Sequence, residues 1–274
     1  ALGPGEHTKV PTLLKNPRLL KPLEGLVTTY GTPGYREIDP TPILGITFVL
    51  MFGWMFGDLG HGLVLAALGA LLVLRVIPQL AGMAEAGLIL VGCGLSSALF
   101  GLLYGSLFGM EDVIPHLWLS PMHDMMSLLM ASVGFGVVVL SIGFSCRVVS
   151  AARRGNVLEG VFHTNGGVGL LLYWSLIALV AFVALGGAMP GWLIALVALV
   201  VLSLIFADPL TNLLNGKRPL VHGGVTMLIV QAFFELFEAF IGYASNTLSY
   251  VRLEAFAVAH AGLSLVVFIL ADMA

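Results

Sequence analysis

From Pro42 onward the chain is a succession of apolar runs, at about 42–77, 86–109, 125–149, 166–188, 192–207 and 221 to the end, and no other feature constrains its fold as strongly. Backbone N–H and C=O groups buried in hydrocarbon have no water to bond, so such a chain crosses a membrane only as helices or as a closed barrel. Barrel strands alternate apolar with polar residues, and these runs do not. Composition points the same way: 58% of the 274 residues are hydrophobic and 10% are charged, with a mean hydropathy of +1.01, against about 25% charged in soluble domains. The chain is therefore predicted to be an all-α, polytopic transmembrane protein. A formal net charge of −3 says little about partners.

The first run is too long for one simple crossing. At 1.5 Å per residue it would extend about 54 Å, beyond the roughly 30 Å of a hydrocarbon core. Its middle reads Gly57-Asp58-Leu59-Gly60-His61-Gly62, which is rich in helix breakers. Lysine and arginine in short loops mark the cytoplasmic side. Here they fall in the N-terminal segment (Lys9, Lys15, Arg18, Lys21, Arg36), in the 75–85 connection, in the 147–159 loop (Arg147, Arg153, Arg154) and in the 208–219 loop (Lys217, Arg218). If all of these share one side, an even number of crossings precedes Arg75. A short helical hairpin turning at 57–62 follows, with Asp58 and His61 capping and tying the turn; one long tilted helix is the alternative. Residues 1–41 are expected to be a cytoplasmic linker and 42–274 the membrane domain. No cleavable signal peptide is expected, because the required apolar core and cleavage site are missing. Gly101, Gly105 and Gly109 are expected to line one helix face for close packing, and Cys93 and Cys146 to be buried free thiols.

The last run carries Glu235, Glu238, Arg252, Glu254, His260 and Asp272. At about 100° per residue, Ser245, Ser249, Arg252 and His260 all fall within about 40° of Glu238, while Glu254 lands on the far side. Along a helix axis Glu238 is about 21 Å from Arg252, and His260 lies about 12 Å beyond. Placing an arginine near the centre of a membrane helix costs about 2.5–3.5 kcal/mol, so such a residue reads as functional by default. Its guanidinium stays charged at any working pH, which makes Arg252 a fixed cation able to hold and release a mobile carboxylate. A structural ion pair with Glu254 or a neighbouring helix is the plainer alternative. Glu235 and Asp272 read as interfacial. No GxxxxGK[ST] nucleotide signature occurs, so any ATP chemistry belongs to other chains.

Four stretches carry a family likeness: NPRLLKPLEGLVTTYGTPGYREIDPTP (Asn16 to Pro42), ITFVLMFGWMFGDLGHG (Ile46 to Gly62), GLLYGSLFG (Gly101 to Gly109) and SYVRLEAFAVAHAGLS (Ser249 to Ser264). In these residues the chain resembles the membrane domain of subunit a, called subunit I in bacteria and archaea, of the V-type and archaeal-type rotary ATPases. The resemblance implies about seven helices here, two in the hairpin, then four, then one long, strongly tilted helix from about Val221 to Ala271. An eighth family helix and a large soluble N-terminal domain are expected to lie outside this chain. It further implies a non-catalytic stator subunit of an ATP-driven H⁺- or Na⁺-translocating complex, forming two offset half-channels against a rotating proteolipid c-ring. Matched position by position, Arg252 corresponds to the family's essential arginine, Glu238 to its cytoplasmic-side glutamate and His260 to its exterior-side histidine; Glu235 is the group expected to serve the cytoplasmic side should Glu238 not do so. Ser245 and Ser249 would help hold water. Glu254 and Gly242 depart from the pattern of eukaryotic relatives, which have tryptophan and asparagine there. Implied partners are the c-ring, peripheral-stalk subunits through the N-terminal domain, a central-stalk adaptor subunit and membrane lipid. No cofactor, metal or nucleic acid is expected. The expected location is a bacterial or archaeal plasma membrane, as a multi-pass protein with its N-terminal segment cytoplasmic. A stand-alone secondary transporter or proton channel, and a scaffold without an ion path, are the rival functions. The former predicts an internal repeat of broken helices, which the sequence does not display.

Overall fold

A computed structural model describes residues 16–17, 20–31, 33–34, 37–76, 78–111, 113–155, 157–187, 190–207 and 224–273. Lys9, Lys15, Arg18, Arg36, Lys217 and Arg218 of the basic loops, and the expected start of the last helix at Val221, lie outside the described residues. The helices in chain order are α1 (Lys21–Tyr30), α2 (Thr41–Met55), α3 (Leu59–Val73), α4 (Ala84–Tyr104), α5 (Met125–Arg153), α6 (Val157–Phe162), α7 (Gly167–Ala184), α8 (Gly191–Ile205), α9 (Gly224–Leu248) and α10 (Val251–Asp272). A 3₁₀ turn at Pro78–Met83 leads into α4. Four stretches are long and apolar enough to cross a membrane: Ala84–Tyr104, Met125–Arg153, Gly160–Ala184 and Ile229–Asp272. The protein is thus a polytopic helical membrane protein. The 42–77 run is a hairpin, its arms α2 and α3 only 15 residues each, or about 22 Å.

Two compact units divide the chain. The first comprises residues up to Tyr35, then Asp39–Phe135 and Tyr250–Ala274. In it α3 lies against α4 with backbone on backbone. A methyl built on Gly62 would meet Gly94 O at 2.8 Å, and one on Gly94 would meet Gly62 O at 2.7 Å and Ala66 Cα at 2.8 Å. Neither neighbour is the end of a flexible side chain, so neither can give way. Gly94→Val is therefore expected to lose about 3 kcal/mol or more, the upper end of overpacking penalties. The thermal midpoint in detergent should fall, whereas Gly134→Val, with nothing within 4 Å of its added carbon, should leave it nearly unchanged.

The core of this unit gathers Trp54, Phe100, Tyr104, Leu128, Leu253 and Ala257. Tyr104 is 1% exposed and donates its hydroxyl to Trp54 O at 3.2 Å. From α10, the buried residues Leu253, Ala257 and Ala261 recur every four positions and form its inward seam. Part of the N-terminal segment packs here too. Leu23 and Val27 of α1, one turn apart, are buried, Lys21 Nζ lies 3.7 Å from Glu85 Oε1, and the Asn16 amide donates to Asp39 Oδ2 at 2.7 Å.

One packing expectation is corrected. Gly101, Gly105 and Gly109 do not form a helix face, because α4 ends at Tyr104. Gly105 caps it in the left-handed region at φ 76°, Gly109 sits in the following turn at φ 80°, and only Gly101 packs within the helix, against the backbone of Asp58 and Leu59. Of the two free cysteines, Cys93 is buried and Cys146 is partly exposed.

The second unit comprises Arg36–Ile38 and Gly136–Ser249. Val137, Val168, Leu172, Tyr173, Val200, Leu204, Ala239 and Tyr243 make its core. The Tyr243 ring meets Phe144 and Tyr173, each at 5.6 Å, and its hydroxyl donates to Thr164 O at 2.5 Å. The long final stretch is divided at Ser249 and Tyr250. There Leu253 N bonds Tyr250 O, a three-residue step that tightens the first turn of α10. The uniform 100° screw of the sequence reading therefore applies within α9 and within α10 separately.

Candidate functional site

On α10, Arg252 is exposed on the helix that presents Leu253, Ala257 and Ala261 inward. At 100° per residue its side chain leaves the helix about 140° from the middle of that seam. Among the described residues no carboxylate lies within ion-pair distance of it, Glu254 included. Its surroundings along the helix are exposed apolar side chains such as Phe256 and Leu263. Lipid tails supply no acceptor for a permanent cation, and no carboxylate among the described residues takes that place.

Within the second unit, one face of α9 carries Glu235, Glu238, Gly242, Tyr243 and Asn246, and with Arg147, His163 and Asn165 it lines a cleft of about 640 Å³. The Arg147 guanidinium lies 3.2 Å from His163 Nε2, and Gln231 donates to Glu235 at 2.8 Å. The cleft holds both carboxylates of α9 and is large enough for a file of waters. Ser245 and Ser249 are exposed and are not part of its lining. His163 and Asn165, in the turn between α6 and α7, escaped the sequence reading because such residues leave no periodic signal, and Arg147, which the sequence marked only as a topological charge, lies near the end of α5.

In the first unit, His260 of α10 lies beside the α2–α3 tip, its ring 4.4 Å from that of Phe56 and 5.7 Å from that of His61. Asp58 caps α3 and is completely buried. Its Oδ1 accepts from the N–H groups of His61 (2.8 Å) and Phe108 (3.1 Å), and its Oδ2 from Gly109 N–H (2.6 Å) and the Ser106 hydroxyl (3.0 Å). One carboxylate thereby joins the hairpin tip to the turn after α4. Asp58, His61 and His260 each bring one ligand-capable atom within 4.8 Å of the others. So the structure gathers the predicted residues into two groups, Glu235 with Glu238, and Asp58 with His61 and His260, and leaves Arg252 facing outward.

Comparison with known proteins gives a consistent result. The model of the V-type ATPase 116kDa subunit family matches residues 4–112. Among curated relatives, an A-type ATP synthase subunit I of Pyrococcus horikoshii is 30% identical over 274 residues, covering 98% of this chain and 38% of the relative. One of Thermococcus kodakarensis is 29% identical over 280 residues, covering 98% and 39%. One of Halobacterium salinarum is 29% identical over 296 residues, covering 97% and 37%. The chain thus spans less than two fifths of the length of these relatives.

Proposed function

The chain belongs to the V-type ATPase 116 kDa subunit family, and on that premise we propose that it is the ion-conducting membrane part of the stator of a V/A-type rotary ATPase. It performs no ATP chemistry itself. Its α9 and α10 surfaces face a proteolipid ring, and its N-terminal segment lies on the cytoplasmic side of a bacterial or archaeal plasma membrane, joined through the rest of the polypeptide to the stalk subunits. The single observation that carries this reading is Arg252, exposed and without an ion-pair partner among the described residues, in a 44-residue apolar helical stretch.

A proton enters one half-channel, neutralises a ring carboxylate, rides through lipid for most of a turn and leaves by the other. Arg252 sits between the two routes. Its charge repels a proton attempting a direct crossing and favours the ionised form of the ring carboxylate that passes it. Glu238, in the cleft with Glu235, loads or unloads protons on the cytoplasmic side, and His260 serves the exterior side.

Two measurements test the proposal. Isolation in mild detergent should retain the ring with this subunit, whereas proton flux through the purified subunit alone would favour a stand-alone channel. Glu238→Gln is expected to slow ATP-driven vesicle acidification several-fold without abolishing it, because Glu235 lines the same cleft. An unchanged rate would remove Glu238 from the path.

A further inference from the structure

The group at the hairpin tip has a property that proton transfer does not explain. His61 Nδ1 is 3.0 Å from Asp58 Oδ1, yet it is buried and makes no hydrogen bond, so the ring's in-plane direction at that nitrogen does not meet the oxygen. His260 Nε2 is likewise buried and without a hydrogen-bond partner among the described residues. An orphaned buried polar atom costs about 1–3 kcal/mol. The same two histidines each bring one ring nitrogen within 4.8 Å of the other's and of one Asp58 carboxylate oxygen. Convergence of two imidazole nitrogens and a carboxylate on one small volume is what a cation relieves.

The spacing is within reach. Ligands at about 2.0–2.1 Å from a tetrahedral ion stand about 3.3 Å apart, and the ligand atoms here lie within 4.8 Å of one another, so a small side-chain shift closes the set on an ion. Two imidazoles with one carboxylate suit a borderline ion such as Zn²⁺ better than Mg²⁺ or Ca²⁺, which take all-oxygen sets. The histidines are held in place by rings, His61 by Phe108 at 5.3 Å and His260 by Phe56. Asp58 is fixed by the four hydrogen bonds it accepts. Those bonds occupy its lone pairs, so it contributes mainly charge and the imidazoles carry the affinity. The His61 side chain is 42% exposed, which gives an ion a way in.

We infer that Asp58, His61 and His260 form a binding site for a divalent transition cation of the Zn²⁺ class, with the two imidazoles as principal ligands and water completing the coordination. A bound ion pins His260. On the reading that His260 serves the exterior half-channel, and only for this consequence, occupancy slows transport.

The test uses the untagged, assembled complex, stripped with a chelator and titrated with Zn²⁺ against a chromophoric competitor, then with Co²⁺ followed by its visible absorption. Wild type should take up one tightly bound Zn²⁺ per copy of this chain and give a tetrahedral Co²⁺ spectrum. His61→Ala and His260→Ala should each weaken binding by at least about tenfold and lose that spectrum. Wild type that binds no Zn²⁺, or variants that keep wild-type affinity and spectrum, would overturn the site. Should an alanine variant fail to assemble, His61→Gln and His260→Gln, which keep the side-chain bulk, decide by the same criteria. Pumping with and without Zn²⁺ is scored separately. Tight binding that leaves the rate unchanged sustains the metal site and removes His260 from the transport route.

Discussion

Arg252→Ala is expected to abolish ATP-driven proton pumping in reconstituted vesicles while the complex assembles normally. The two halves of this expectation come from the same geometry. Arg252 makes no ion pair with the described residues and leaves α10 on the side away from Leu253, Ala257 and Ala261, so truncating it breaks no ion pair among the described residues and opens no gap in that buried seam. On the proposed function, what it removes is the partner of a desolvated carboxylate on the ring, a loss of about 2–5 kcal/mol, so pumping falls by about thirtyfold or more. Arg252→Lys keeps the charge but not the planar fork that engages a carboxylate through two nitrogens, and should recover only part of the rate. Normal coupled pumping by the alanine variant would end the account of Arg252 as the barrier between half-channels.

Asp58→Ala should have the largest structural effect of any single change at the hairpin. The substitution strips acceptors from His61 N–H, Phe108 N–H, Gly109 N–H and the Ser106 hydroxyl at once. At about 1–3 kcal/mol for each donor left buried without a partner, the cost is on the order of several kcal/mol, a large share of the usual stability of a domain. The turn after α4 depends on this anchor. Phe108 is held there at φ 50°, a conformation that non-glycine residues adopt only when surroundings impose it, and one of the restraints is the bond from its own N–H to Asp58. Protease sensitivity within 105–124 and the thermal midpoint in detergent are the measurements. Asp58→Asn, which retains an acceptor at Oδ1, should be milder, and an alanine variant as stable as wild type would show that other contacts hold the tip.

The hairpin was legible because two arithmetic facts agree, the excess length of the 42–77 run and the charge of the loops around it. The α9 acids were legible as well, since Glu235 and Glu238 lie on one helix and share the face that borders the cleft. Other features depend on tertiary partners. Leu23 and Val27 stand one turn apart, but a ten-residue helix in a proline-rich segment declares itself only when α2 and α4 bury that face. The glycine series at 101, 105 and 109 has a helical period, yet Gly105 supplies a left-handed cap that ends α4 instead of continuing it. The division at Ser249 and Tyr250 has no proline or glycine to announce it. Asp58 and His61 were marked by their turn and His260 by its stripe, but about two hundred residues of chain separate them, and only the fold brings their ligand atoms together.

The central claim is that the Arg252 face of α10 opposes a moving carboxylate on the ring. Ala259 is exposed, two turns from Arg252 and about 20° from it around the helix. The direct measurement is oxidative cross-linking of Ala259→Cys, in the assembled complex, to a cysteine placed one turn from the ring carboxylate. A disulfide that forms in good yield and stops ATP-driven rotation is the predicted result. A complex in which position 259 stays unlinked to the ring and reacts instead with a lipid-phase thiol reagent would contradict it.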